Sequence, residues 1–168
     1  MNWRISTKLC DESALDFCKV WLYKFDCDSM SHVKVKRGKY GFGVYGWLDH
    51  IDGANRPYEM VLHIPGPYPF RVATKEPPLV LPLPGLKKSI PSGQVITSRN
   101  VCLKEQTVSV KLESSLMVNT PGEALVFLFG HELHHYLVAE EQIDAEDTEK
   151  NADMYGNLLL DRFRKIVK

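Results

Sequence analysis

The sequence predicts an α+β fold, with helices toward both ends and a small, mostly antiparallel sheet between them. Three features carry that expectation. Apolar residues recur at helical spacing near the N-terminus and twice after residue 120. Two aromatic or β-branched runs flank a turn between Lys39 and Ile64. Eight of the ten prolines crowd between Pro65 and Pro91, where a central strand cannot hold them, because proline donates no ladder hydrogen bond.

The elements follow in order. Asp11 caps a helix expected to reach about Phe25, with Ala14, Phe17, Trp21 and Phe25 on one stripe. Asp26 to Ser31 is a polar break. The basic stretch Lys34 to Lys39 reads as solvated surface. A strand over Lys39–Trp47 and a second over Tyr58–Ile64 form an antiparallel hairpin around Asp52-Gly53 and Pro57. The proline-rich segment 65–91 is apolar, so an ordered loop lying over the core is expected, with a lid that keeps the protein latent as the alternative. Thr107 to Leu112 alternates Val108, Val110 and Leu112 with polar residues and reads as a half-exposed strand. Thr120-Pro121-Gly122-Glu123 opens a buried helix running to about Val138. A last helix covers about Thr148 to Ile166, with Ala152, Tyr155, Leu159, Phe163 and Ile166 aligned.

Bulk composition narrows the classes of partner. The 168 residues suit a single domain spanning 1–168, and 44% apolar with 25% charged residues is a globular composition. Lys plus Arg balance Asp plus Glu at 21 each, so neither nucleic acid nor an anionic membrane is expected as a partner. No apolar run approaches the roughly 20 residues of a membrane span, and the N-terminus lacks a signal-peptide core. Cys10, Cys18, Cys27 and Cys102 form no C-x-x-C pair, which argues against a four-cysteine zinc site and for free thiols in a reducing cytoplasm.

Within the buried helix stands His131-Glu132-Leu133-His134-His135. Residues i and i+4 leave one helix face a turn apart, so His131 and His135 can share a metal ion, and Glu132 projects beside them. Two imidazoles leave a zinc site one protein ligand short. Glu149, at the start of the last helix, can supply it. Asp153, again i+4, can accept a hydrogen bond from a ligating histidine, and Ala152 lets the helices approach. The bland reading of these carboxylates is an acidic first turn that favours the helix dipole. Asp144, Glu146 and Asp147 are other nearby carboxylates that precede the helix. His134 points off the metal face, and His32, His50 and His63 receive no role.

The two motifs resemble those of the gluzincin metallopeptidases, in which an HExxH helix is followed by a helix carrying a glutamate ligand. Glu149-x-x-Ala152-Asp153 is similar to their second motif, and looks closer still to small stand-alone relatives of the ImmA/IrrE type and to minimal gluzincins. The resemblance covers about forty residues. It implies a zincin-like fold, Zn2+ held by His131, His135 and Glu149, Glu132 as general base, and a supporting role for Asp153. It also implies an edge strand that binds extended substrate; the strand opening at Thr107 is nearest in sequence. Zinc would make an attacking water acidic near neutral pH, Glu132 taking its proton and passing it to the leaving amine. Tyr155 and Tyr136 are the positional candidates for the donor that stabilises the transition state. The expected function is a cytoplasmic zinc endopeptidase acting on a protein or peptide. The alternative is a non-catalytic, metal-stabilised regulatory or interaction module, and the same ligands also accept cobalt or manganese.

Overall fold

The computed structural model describes residues 2–38, 45–75, 79–82, 94–102 and 107–167. The chain divides into two compact units, one made of residues 1–70 with 118–168 and the other of residues 71–117.

The first unit is α+β. Its helix α1 (Glu12–Leu22) starts where expected, the Asp11 side chain accepting from the backbone N–H groups of Ser13 and Ala14. It stops short of Phe25, because Lys24 and Phe25 bond back three residues in tight turns. Strand β1 (Asn2–Ile5) and strand β2 (Met30–Arg37) were not expected. The stretch read as basic surface is therefore a strand as far as Arg37. Met30, Val33 and Val35 are fully buried, while Lys34 turns to the other face and donates to Glu59 at 2.5 Å. Strand β3 (Tyr45–His50) and strand β4 (Tyr58–Ile64) form the antiparallel hairpin, turning through Gly53 at φ 74°, a left-handed conformation that suits glycine. Residues 39–44 of the first expected strand lie outside the described residues.

The sheet order is β1-β2-β4-β3. Strands β1 and β2 pair in parallel, as do β2 and β4, so this sheet is mixed rather than mostly antiparallel. The reason is β2, which enters between β1 and the hairpin. One face of the sheet carries Val33, Val35, Met60, Leu62 and Ile64, all fully buried. Helix α2 (Pro121–Ala139) packs against β3 and β4, and Trp3 reaches Phe129 with ring centroids 6.0 Å apart. Helix α3 (Glu149–Ile166) pairs with α2, while α1 reaches α3 through Phe17 and Phe163 at 5.4 Å. Both C-terminal helices start on threonine caps, Thr120 accepting from Glu123 N–H and Thr148 from Asn151 N–H.

The second unit holds strands β5 (Phe70–Lys75), β6 (Leu79–Pro82), β7 (Gln94–Cys102) and β8 (Thr107–Val118). Its order is β5-β8-β6, with β7 also on β8. The strand expected from Thr107 is thus real and longer. The proline-rich segment is not wholly loop, since β5 and β6 lie within it; Pro82 closes β6 at the end of the described pairing order, where its missing N–H does least harm. Residues 76–78 and 83–93 of it lie outside the described residues. No helix among the described residues is long and apolar enough to cross a membrane.

Candidate metal centre

Helix α2 is apolar almost all round in its first half because it is enclosed: Leu125, Val126, Phe127, Leu128 and Phe129 are buried. Its crossing with α3 is glycine on glycine. A Cβ on Gly130 would stand 2.8 Å from Gly156 Cα, and one on Gly156 only 2.7 Å from the Phe127 carbonyl. That crossing, more than Ala152, sets how closely the two helices approach.

Next to it, His131 and His135 bring their Nε2 atoms to 3.3 Å. Glu149 faces both, its Oε2 3.4 Å from His131 Nε2 and its Oε1 3.7 Å from His135 Nε2. Ligands about 2.0–2.1 Å from a tetrahedral ion stand roughly 3.3–3.4 Å from one another, so these spacings fit one ion with little movement. The outer ring nitrogens are also engaged. His131 Nδ1 lies 3.0 Å from Asp153 Oδ1, and His135 Nδ1 lies 2.5 Å from Asp147 Oδ1. With Nδ1 protons directed at those carboxylates, the two Nε2 atoms would present lone pairs to the space between them, where either a metal ion or a shared proton can stand. Burial works against a charged His131, but its bond to Asp153 and the charges of Glu132, Asp153 and Glu149 outweigh it and raise its pKa.

Asp147, weighed from the sequence as a substitute ligand, instead holds His135. With His134 and His135 it forms a second group with donor atoms within 4.8 Å. The 2.5 Å contact is a hydrogen bond, however, being far shorter than the distance between two ligands of one ion. Asp144 and Glu146 are exposed and belong to neither group.

Glu132 is 4% exposed and makes no hydrogen bond among the described residues. Burial, resisted by the charges of His131 and His135 and aided by that of Glu149, pushes its carboxyl up to about 7. It lies under β3: a Cβ on Gly46 would meet Glu132 Oε1 at 2.8 Å. Gly46, Trp47 and Leu48 form one wall of a cleft of about 430 Å³, and His131, Glu132, His135, Ala139, Asp147 and Glu149 line the rest. Among the described residues β3 ends its sheet order, so it is the edge strand on this cleft. The strand from Thr107 belongs to the second unit.

The structure does not bring the two tyrosines to the cleft. Tyr136 is fully buried, donates to the Asp26 carbonyl at 3.0 Å and meets Ser29 Oγ at 2.8 Å; burial pushes its hydroxyl up to about 12. The Tyr155 hydroxyl accepts from Trp21 Nε1 at 3.3 Å, toward α1. Elsewhere, His32 pairs with Glu59, His63 stacks on Trp47, and His50 pairs with Asp52 at the surface. His134 is buried among His135 and Tyr155, and burial lowers its pKa. Cys10, Cys18 and Cys27 are free thiols whose pKa values burial raises, Cys27 to about 11, so none is activated as a nucleophile.

Sequence reasoning did not find Gly46, Gly130 and Gly156, whose roles arise from approaches made only in three dimensions, or the part played by Asp147. No family model, no curated protein and no solved structure matches the chain. Its chemistry has to be read from its own geometry.

Proposed function

We propose that this chain is a zinc metallopeptidase of the gluzincin type, with His131, His135 and Glu149 as ligands and Glu132 as general base. The observation that carries the reading is the coincidence, in one cleft, of three converging donors and a largely buried carboxylate that makes no hydrogen bond among the described residues. Two imidazoles and one carboxylate are the donor set of catalytic zinc sites that keep a position open. A purely structural ion gains nothing from a neighbouring unpaired Glu132, whose burial costs stability.

Bound zinc would supply Lewis acidity, making water acidic and polarising a carbonyl. The rest falls to the chain. Glu132, one residue from His131 and lining the same cleft, is placed to take a proton from the attacking water and pass it to the departing amine. Asp153 and Asp147 hold the histidine rings and their tautomers. The side of β3 that has no strand partner among the described residues would offer an extended peptide backbone pairing, with its scissile bond over Glu132.

The test is zinc content and peptide hydrolysis of the wild type beside His131→Ala and Glu132→Gln. The expected result is close to one zinc per chain, lost in the first variant and kept in the second, with hydrolysis absent from both. A wild type that takes up no metal when zinc is supplied overturns the proposal, and so does a Glu132→Gln variant as active as wild type.

A further inference from the structure

We propose that the cleft selects cationic segments: unstructured peptide with lysine or arginine flanking the scissile bond. This rests on the metallopeptidase reading of the same site.

Among the described residues, the charged groups lining the cleft beside the two histidines are Glu132, Asp147 and Glu149, with no lysine or arginine. Asp153 stands directly behind His131. A dication in the site leaves these four carboxylates in excess, and the excess survives protonation of Glu132. The chain from Tyr136 to Glu146 adds four more, Glu140, Glu141, Asp144 and Glu146, and carries no lysine or arginine. Ala139 and Asp147 line the cleft, and between them Glu141, Asp144 and Glu146 are exposed and form no ion pair among the described residues. Glu140 alone is occupied, by Ser29 at 2.5 Å. Glu141 sits at φ 54°, just past the end of α2, a left-handed position where glycine or asparagine is favoured. A charged side chain stands there despite the backbone it must adopt. Lys150, the nearest cation along the chain, is exposed on α3 and does not line the cleft.

The chain as a whole is neutral, so this charge is a separation and not a bulk property. Its counterpart lies on the far face of the sheet, where Arg4, Lys34 and Lys36 gather about a smaller pocket of about 300 Å³. Glu132, 4% exposed and without a hydrogen bond among the described residues, lines the same space, a second sign that an electropositive group or proton source is received there. A strand paired to β3 advances about 3.3 Å per residue, which puts side chains two or three positions from the scissile bond within about one Debye length of the rim. Trp47, Leu48 and Ala139 leave the positions next to that bond facing apolar walls. Opposite charge would then raise encounter and register, and anionic flanks would be repelled.

The probes are fluorescent twelve-residue peptides of one apolar centre, flanked by four lysines, four serines or four glutamates. Their affinity is measured by anisotropy for zinc-loaded Glu132→Gln, which binds without turnover, and cleavage of the mixed pool by zinc-loaded wild type is followed by mass spectrometry. The lysine peptide is expected to bind about tenfold more tightly than the glutamate peptide at low salt, with the gap narrowing above about 0.5 M salt. Asp144→Lys combined with Glu146→Lys should close most of the gap and leave zinc content unchanged. Equal affinities, a preference for the glutamate peptide, or a gap untouched by the double variant overturns the inference. Zinc-loaded wild type that cuts nothing in the pool overturns the peptidase reading instead, and the binding arms still decide the charge preference.

Discussion

Two glutamates on α2 experience opposite surroundings. Glu123, in the first turn, accepts from the Asn119 backbone N–H at 2.7 Å and takes two bonds from Arg164, at 2.9 and 2.7 Å. Burial would raise its pKa, but those bonds outweigh it and the carboxyl is held low. Glu132, two and a half turns on, is more deeply buried and has no hydrogen bond among the described residues. The first carboxylate fixes where the helix starts and ties it to α3; the second is left expensive. On the proposed reading, the buried carboxylate left without a hydrogen bond marks the turn that would do chemistry, whereas the fully satisfied one marks the turn that does folding.

The contrast can be broken from either end. Glu132→Gln should lower peptide turnover by about 10²- to 10⁴-fold with zinc retained, measured as kcat on any peptide the wild type cuts. In the metal-free protein the same change should stabilise. The folded carboxyl, near 7, binds its proton more tightly than the unfolded one near 4.5, so folding takes up a proton and stability falls as pH rises across that window. Glu132→Gln removes the loss, and urea unfolding at pH 8 should show a gain of up to about 3 kcal/mol that shrinks toward zero below pH 4.5. A variant no more stable than wild type at pH 8 would refute this account of its environment. Glu123→Gln should do the reverse, losing about 2 kcal/mol with the two charged bonds to Arg164. Its depressed pKa stabilises above the unfolded value, and that stability disappears as pH falls through the folded one, so the two proteins should converge in acid. Smallest is Tyr136→Phe, which should cost about 1 kcal/mol through its bonds to Asp26 and Ser29. Because that hydroxyl is remote from the cleft, zinc content and kcat should not change; a large fall in kcat would return Tyr136 to the reaction.

How much of this was legible in the sequence depended on range. His131, Glu132 and His135 could be placed because the helical period fixes their relation within five residues, and Thr120 and Thr148 because caps are local. Glu149 and Asp153 share a face for the same reason. The second wall of the cleft was not legible, since β3 meets Glu132 only after the sheet has formed with β4 between β3 and β2. The signal for β2 was present in the alternation of Val33 and Val35 with Lys34 and Lys36, but the lysines drew attention to charge and away from the period of two. Parallel pairing of β1, β2 and β4 has no local signature at all, because their partners are separated by a helix or a hairpin. Tyr136 and Tyr155 were chosen by sequence proximity, which says nothing about which side of a helix a hydroxyl leaves. Gly46, Gly130 and Gly156 act through an absent side chain and offer only their identity to read.

The glycine-on-glycine crossing makes the helix pair a caliper. Gly130 precedes His131 directly, while Glu149 lies seven residues, roughly 10 Å of helix, from Gly156. Over an arm of that length, a tilt of about 5° at the pivot displaces the glutamate by roughly 0.9 Å, enough to turn a matched set of donors into a mismatched one. The jaws carry the proposed ligands, but the gauge is set at the pin, by two glycines that lie outside the donor set.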